Sequence, residues 1–190
     1  MHHLAIEVDL RYATTNNLTG QVLPGYLKNK LMGSAEMLRA LDSAAEEAAK
    51  MGCGMLVFDA YRPQKAVDFL AAWAKTPNID TKPLYYPNEA KSKLFAHGYI
   101  AEKSAHSRGS AVDLTLTRNG VPLDMGSGFD LMDRLSHHGA EGITKEQAEN
   151  RLLLKTLMER HGFVAYECEW WHYRLIHEPH PDTYFDHDII

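Results

Sequence analysis

Two short segments that lie far apart in the chain place the strongest constraint on how it can fold. The first is Ser104-Ala-His106-Ser-Arg-Gly109-Ser-Ala111-Val-Asp113, and the second is Glu169-Trp-Trp-His172. Together they contain two imidazoles and a carboxylate, the set of three protein ligands that a hydrolytic zinc ion needs while one position stays open for water. They also contain a further glutamate that can take a proton from that water. A fold that supports this chemistry must bring both segments to one place.

The residues around Asp113 have the pattern of a β-strand. Apolar and polar residues alternate from Ala111 to Thr117, which predicts a half-buried strand with Asp113 on the face away from the aliphatic side chains. His106 precedes Asp113 by an odd number of residues, so a straight strand would put the two on opposite faces. Gly109 permits a tight loop between them, and such a loop can fold His106 back towards Asp113.

The second segment has a similar odd spacing. Glu169 and His172 lie within a run, 163–176, whose composition favours a strand. Both side chains can serve one metal ion only if the chain bends near Trp170, so we expect a bulge or tight turn there. A lone histidine on a strand is more often packed or solvated than a ligand. Four suitable residues in two compact clusters weaken that alternative considerably.

Taken together, the two segments resemble a known family. The pattern Ser-x-His-x-x-Gly-x-Ala-x-Asp, followed by Glu-x-x-His, is similar to that of the zinc D-alanyl-D-alanine peptidases, and the fuller strings are similar to those of the VanX-type D-Ala-D-Ala dipeptidases. The likeness runs from about residue 8 to about residue 187. Outside the two segments it is carried by Tyr12-Ala-Thr, Asn17-Leu-Thr-Gly20, Asp59-Ala-Tyr-Arg-Pro63, Met125-Gly-Ser-Gly-Phe-Asp130, Ser136-His-His138 and Tyr184-Phe-Asp186.

The resemblance implies a metal site and a reaction. His106, Asp113 and His172 would bind one zinc ion per chain, and Glu169 would act first as general base and then as general acid. The implied reaction is hydrolysis of the dipeptide D-alanyl-D-alanine to two D-alanines. In such a site the metal polarises the amide carbonyl and activates the attacking water.

The resemblance also implies roles for four other residues. Arg62 would stabilise the oxyanion, because a fixed guanidinium can donate to the negative charge that develops on a tetrahedral intermediate. Asp130 and Tyr12 would hold the free ammonium of the substrate. Ser104 would lie near the carboxylate end of the substrate.

Two alternative functions stay open. A D,D-carboxypeptidase would use the same metal chemistry to trim D-alanine from longer peptidoglycan peptides in a more open cleft. A catalytically silent zinc-binding module of the same fold is the second alternative, although the presence of both Glu169 and Arg62 disfavours it. A dipeptidase, in turn, could starve cell-wall precursor synthesis and give glycopeptide resistance, or it could recycle wall fragments, and the sequence does not choose between these.

Composition favours a single globular enzyme domain over residues 1–190. Hydrophobic residues make up 45% of the chain and charged residues 24%, as is usual for globular proteins. The formal net charge of -5 and the lack of a basic stretch predict that neither nucleic acid nor a membrane surface is a partner. We therefore expect a small dipeptide as the partner, and the sequence does not indicate an oligomeric state.

The sequence leaves the compartment open. No apolar run approaches the ~20 residues needed to cross a bilayer, and the N-terminus lacks the regions of a signal peptide. As written, the chain is expected in the cytoplasm, whereas a leader removed before Met1 would place it in the periplasm. Cys53 and Cys168 fit either two free thiols or one disulfide bridge.

The predicted elements have a mixed order. Strands are expected over residues 4–12, 55–59, 111–117 and 163–176, with a hairpin turn at Asn119-Gly120. Helices are expected over residues 34–51 and 63–75, and from a capping box at Thr144 and Gln147 onwards. This order predicts the α+β class, with a central antiparallel sheet flanked by helices and the zinc site on the sheet.

Overall fold

The computed structural model describes residues 6–190, in which strands and helices are interspersed. The strands are β1 (Ile6–Val8), β2 (Gly54–Asp59), β3 (Ala111–Arg118), β4 (Val121–Pro122), β5 (Phe163–Tyr166) and β6 (Glu169–Leu175). The helices are α1 (Ala35–Lys50), α2 (Gln64–Ala74), α3 (Lys82–Tyr85) and α4 (Lys145–Arg160), and short 3-10 turns lie at Arg11–Ala13, Lys91–Lys93 and Arg134–Ser136.

The strands form one sheet in the order β1-β2-β3-β6-β5, with the short β4 paired to β3. Every pairing is antiparallel except that of β1 with β2, which is parallel. Helices α1 and α4 pack against each other, α1 also packs against β2, and α4 also packs against β5 and β6. The predicted α+β class with a mainly antiparallel central sheet is confirmed, and the parallel pair at one edge is the feature that the sequence did not indicate.

Local signals fixed the ends of the two long helices. Ser34 caps α1 by accepting a hydrogen bond from the Met37 amide at 3.2 Å, and Gly52 follows the helix with a φ of 71°. Thr144 and Gln147 form the predicted capping box of α4. These helix predictions are therefore confirmed.

The first strand is shorter than predicted. Of the predicted strand over 4–12, Leu4 and Ala5 lie outside the described residues, and β1 ends at Val8. Beyond it, the Leu10 amide donates to the side chain of Asn29 at 2.8 Å instead of to a neighbouring strand. The chain then enters a 3-10 turn, which brings Tyr12 into the core.

The central strand β3 is buried on both faces, whereas the alternating pattern predicted a half-buried strand. Every residue from Ala111 to Thr117 is buried, including the polar Thr115 and Thr117. Strands β2 and β6 flank only the two edges of β3, so its burial means that other parts of the chain cover both faces of the sheet there. Alternation in β3 separates an aliphatic face from a polar but enclosed face.

A bulge in β2 changes which residue lies beside Asp113. Val57 pairs with Leu114, but the next pair is Asp59 with Asp113, so Phe58 is an extra residue in β2. Regular antiparallel pairing would have put Phe58 opposite Asp113. The bulge instead puts a carboxylate there.

A second irregularity lies between β5 and β6. Ala165 pairs with Tyr173, and the next residue, Tyr166, pairs with Glu169, so residues 170–172 are left without partners in β5. The bend predicted near Trp170 is confirmed. It lets two side chains at an odd spacing reach the same side of the sheet.

The two cysteines are free thiols, one buried at Cys53 and one partly buried at Cys168. The alternative of a disulfide bridge is therefore wrong. Among residues 6–190, none of the helices combines the length and the apolar character that a bilayer crossing requires.

The loop before β3 depends on Gly109, as its position between His106 and Asp113 predicted. Gly109 has a φ of 67°, and its carbonyl accepts a hydrogen bond from the Ser34 amide at 2.9 Å. A Cβ atom at this position would lie 3.0 Å from the same amide nitrogen. Both the backbone conformation and the close approach therefore favour glycine.

We predict that Gly109→Ala destabilises the protein more than Gly120→Ala does. Gly120 has a φ of 76° with no atom near its missing Cβ, so its substitution costs only the conformational penalty of about 1–2 kcal/mol. Gly109→Ala adds a clash with backbone that we expect to cost roughly 1 kcal/mol more. Urea unfolding of the two variants measures the difference in the free energy of unfolding. Equal losses of this free energy would contradict the role assigned to the Ser34 contact.

Candidate metal and substrate site

One row of cross-strand neighbours runs across the sheet at the site. Asp113 on β3 pairs with Asp59 on β2 and with His172 on β6, and residues directly opposite each other project from the same face. His106 reaches this row from the loop before β3. Its Nε2 lies 3.3 Å from Asp113 Oδ1 and 3.1 Å from His172 Nδ1.

The three predicted ligands have the spacing of a tetrahedral metal site. His106 Nε2, His172 Nδ1 and Asp113 Oδ1 lie 2.9 to 3.3 Å from one another. Zinc bonds of about 2.0–2.1 Å in a tetrahedron separate the ligand atoms by roughly 3.3 Å. Within residues 6–190 this is the one cluster of such side chains close enough to hold a metal ion. Its donor atoms need little movement to do so.

A backbone carbonyl fixes the orientation of His106. The Nδ1 of His106 lies 2.6 Å from the carbonyl oxygen of Ala60. Because a carbonyl can only accept, the proton must be on Nδ1, and Nε2 carries the lone pair that faces the cluster. The residue after Asp59 thus sets the tautomer that a metal ligand requires.

The charges of the cluster suit metal binding. Burial by itself raises the pKa of Asp113, but the imidazoles of His106 and His172 outweigh it and hold that pKa below its usual range. Burial also lowers the pKa of His172, which favours its neutral form. An ionised carboxylate and a neutral imidazole are the forms that ligate.

Glu169 lies beside the cluster as the first residue of β6. Its Oε2 is 4.0 Å from His172 Nδ1, and its side chain is largely buried. Burial raises the pKa of Glu169 well above its usual range, and the carboxylates of Asp113 and Asp130 raise it further. A carboxyl group with a raised pKa takes up a proton more readily than an exposed glutamate does, which suits a group that accepts and returns a proton.

Arg62 is held rigidly at the edge of the cluster. Its Nε and Nη2 donate to Asp59 Oδ2 at 2.9 and 2.8 Å, and its guanidinium lies over the ring of Tyr12, 4.7 Å from the centroid. Asp59 has no exposed surface and also accepts a hydrogen bond from the Tyr26 hydroxyl at 2.6 Å. The sequence did not reveal these positioning roles of Asp59 and Tyr26, although the spacing of three residues between Asp59 and Arg62 was a usable signal.

Asp130 is a second buried carboxylate, on the loop between β4 and α4. The Tyr12 hydroxyl donates to its Oδ1 at 3.0 Å, and the Leu18 amide donates to its Oδ2 at 3.3 Å. It has a φ of 64°, an uncommon conformation for a residue other than glycine. Burial raises its pKa to about 7.

Arg151 of α4 holds the loop that carries Asp130. Although it is buried, Arg151 pairs with backbone carbonyls instead of a carboxylate. It donates to the carbonyls of Met125 at 2.6 Å and of Leu135 and His137 at 2.9 Å. These bonds join both ends of the loop to one rigid helix.

All eight predicted site residues line one cavity of about 270 Å³. They are Tyr12, Arg62, Ser104, His106, Asp113, Asp130, Glu169 and His172. The sequence did not identify other residues in the wall, notably Tyr99, Lys103 and Tyr166. The Tyr166 hydroxyl donates to the Gly98 carbonyl at 2.9 Å, a long-range contact that no local pattern could reveal.

Comparison with known proteins identifies close relatives over the whole chain. Residues 2–190 match the sequence profile of a family described as D-ala-D-ala dipeptidase. A D-alanyl-D-alanine dipeptidase of Streptomyces coelicolor is 46% identical over 187 residues, which cover 97% of this chain and 93% of the relative. One of Enterococcus faecium is 48% identical over 184 residues, which cover 95% and 91%. The solved structure of VanYB in complex with D-Alanine-D-Alanine is 15% identical, with a TM-score of 0.47, and covers 93% of this chain and 81% of that one.

We predict that Asp130→Asn gains stability over wild type as the pH rises. Burial raises the pKa of Asp130 to about 7 in the folded chain, whereas an unfolded aspartate titrates near about 3.9. Between these values the folded chain binds the extra proton, so the contribution of Asp130 to stability falls as the pH rises towards 7 and stays low above it. Asparagine does not titrate, so the advantage of the variant should grow over the same interval.

Urea unfolding of metal-free protein at about pH 5 and about pH 8 measures this difference. The control variant is Asp182→Asn, which alters an exposed aspartate and should follow wild type at both pH values. An Asp130→Asn advantage that does not change with pH would show that burial does not perturb this carboxylate.

Proposed function

This chain belongs to the D-Ala-D-Ala dipeptidase family that its motifs indicated, and from that membership we propose that it hydrolyses D-alanyl-D-alanine to two D-alanines. We further propose that residues 1–190 act as a single enzyme domain with one zinc ion. The observation that carries the proposal is that a three-ligand cluster, a buried glutamate and a fixed arginine line the same cavity. Each class of group that metal-assisted amide hydrolysis needs is therefore within reach of one small substrate.

The donor set supports zinc as the metal. Two neutral imidazole nitrogens and one carboxylate oxygen, at separations of 2.9 to 3.3 Å, suit a catalytic zinc ion with one position free. When bound by His106, Asp113 and His172, zinc supplies Lewis acidity towards the scissile carbonyl and the attacking water.

Glu169 and Arg62 supply the remaining chemistry. Glu169 takes the proton from the attacking water on a side-chain oxygen and then delivers it to the nitrogen of the departing D-alanine. Arg62 donates to the oxygen that becomes negative in the tetrahedral intermediate. Because Asp59 already fixes the guanidinium, this donation needs no reorganisation during the reaction.

Asp130 supports a dipeptidase over a carboxypeptidase. Its carboxylate is buried, with one neutral hydroxyl and one backbone amide as donors, and it lines the cavity. A substrate ammonium would supply the cationic partner that Asp130 lacks. Tyr12 would hold the same ammonium. Only a peptide whose free amine belongs to the residue that contributes the scissile carbonyl can place an ammonium there.

We predict that Glu169→Gln retains about one zinc ion per chain but loses ~10² to 10⁴ in turnover, because it removes a proton carrier and keeps the ligands. His106→Ala should lose zinc and turnover together. The control is His180→Ala, which alters an exposed histidine outside the cluster and should keep both. Elemental analysis and a D-alanine release assay on the same preparations measure the two properties.

Two results would contradict this mechanism. Normal turnover by Glu169→Gln would mean that another group is the base. Hydrolysis of D-Ala-D-Ala by wild-type protein free of transition metal would rule out the proposed role of zinc.

We predict that acylation of the substrate amine lowers kcat/KM roughly 30-fold to several-thousand-fold. The loss corresponds to the ~2–5 kcal/mol expected when one partner of a desolvated charge pair is removed. Wild type and Asp130→Asn are each assayed with D-Ala-D-Ala, N-acetyl-D-Ala-D-Ala and a peptidoglycan pentapeptide. The variant should discriminate much less between the free and the blocked substrates. Comparable rates on all three substrates would favour the D,D-carboxypeptidase, and unchanged discrimination by the variant would exclude Asp130 as the partner of the amine.

A further inference from the structure

The cavity contains few cations that could meet the carboxylate of a dipeptide. Of the side chains that line it, Arg62 and Lys103 are the two that carry a permanent positive charge. Arg62 is already paired with Asp59 and lies 3.5 Å from Asp113 Oδ2. Its charge is therefore offset by two buried carboxylates, and the proposed mechanism assigns it to the scissile oxygen, which leaves Lys103 as the cation available to the substrate carboxylate.

Lys103 is exposed at the rim of the cavity and has no acidic partner. Within residues 6–190, lysine ion pairs occur at Lys65, Lys145 and Lys155, and Lys103 forms none. Its Nζ lies instead over the ring of Tyr184, 4.9 Å from the centroid. A cation–π contact at an exposed site is weak and involves no opposite charge, so the ammonium is available to an anion.

Tyr184 is itself fixed to the loop that carries a predicted metal ligand. The Nη1 of Arg108 donates to the Tyr184 hydroxyl at 3.2 Å, and Arg108 forms two hydrogen bonds with the carboxylate of Glu178 at 2.5 and 2.8 Å. The residue after Tyr184 donates its backbone amide to the Ser107 carbonyl at 2.8 Å. The ring under Lys103 is therefore tied to the segment that contains His106.

Ser104 adds a hydroxyl next to this cation. Its Oγ accepts a hydrogen bond from the His106 amide at 3.2 Å, which leaves the hydroxyl proton free to donate. Lys103 and Ser104 are adjacent in the chain, and both line the cavity. An ammonium and a hydroxyl from two adjacent residues of one cavity wall can both donate to the same carboxylate.

We propose that Lys103 binds the C-terminal carboxylate of the dipeptide, with Ser104 as a second donor. The inference rests on the proposed function and extends it from the amine end to the carboxylate end of the substrate.

The test compares two substrates that differ only at this end, D-Ala-D-Ala and D-alanyl-D-alaninamide. Lys103→Met should lower kcat/KM for D-Ala-D-Ala by about 10-fold to 100-fold, mainly through KM, which is the range for loss of a hydrogen bond to a charged group. Its rate on the amide should stay close to that of wild type, because the amide has no charge to pair. Lys103→Arg keeps the charge and should retain most of the preference for the acid.

Lys75→Met is the matched control. Lys75 and Lys103 line the same shallow depression on the outer surface, but Lys75 does not line the cavity. This variant has the same change in net charge, so it should behave as wild type on both substrates. Since Lys103 and Lys75 are exposed, all three variants should unfold at the temperature of wild type, which a thermal melt checks.

Three outcomes would overturn the inference. An unchanged kcat/KM of Lys103→Met on D-Ala-D-Ala, equal losses on the acid and the amide, or a loss in Lys75→Met as large as that in Lys103→Met would exclude a specific contact with the carboxylate. Each of these comparisons can be made only if the wild-type enzyme releases D-alanine from D-Ala-D-Ala. If zinc-loaded wild type releases none, the proposed function itself is wrong, and the two failures are thus distinguishable.

Discussion

The structure of the site depends on the buried carboxylate of Asp113 near the start of the central strand. An ionised carboxylate enclosed in this way is unfavourable unless it is fully paired. Its Oδ1 lies 2.9 Å from His172 Nδ1 and 3.3 Å from His106 Nε2, and its Oδ2 lies 3.5 Å from Arg62 Nη2. The same contacts that make this charge tolerable also bring the candidate metal ligands and the arginine together. Stability and chemistry therefore share one set of interactions, and removal of one partner leaves the others without compensation.

Two interruptions of regular pairing place side chains around Asp113. The bulge at Phe58 brings Asp59 opposite Asp113, and Asp59 in turn holds Arg62 and lies 3.6 Å from His106 Nδ1. Residues 170–172, which have no partners in β5, bring Glu169 and His172 to one side of the sheet. The second interruption could be predicted, because an odd spacing between two residues needed at one site requires a bend. The first could not, since 55–59 is simply an apolar run with no alternation to interrupt, and the extra residue exists only relative to its partner strand.

Sequence reasoning succeeded where the signal was local. The caps of α1 and α4 and the glycine loop before β3 depend on residues within a few positions of each other. It was wrong about the exposure of β3, because whether a polar face is solvated or enclosed depends on distant elements that cover it. It gave no role to Tyr99, which lines the cavity. The hydroxyl of Tyr99 lies 2.8 Å from His137 Nε2. Residues of this kind come from loops without periodicity, and only the tertiary fold brings them to the site.

The supports of the site divide according to the precision that each task requires. The predicted metal ligands Asp113 and His172 are on paired strands, where backbone hydrogen bonds limit their movement. The groups proposed to hold the two ends of the substrate, Asp130 and Lys103, are on loops braced by separate elements, Arg151 of α4 for the first and Tyr184 near the C-terminus for the second. Metal geometry tolerates errors of only a few tenths of an ångström, whereas a charged end group can be met by a side chain with some freedom. A change in either loop can therefore alter which peptide ends are accepted while the strands that carry the chemistry stay the same.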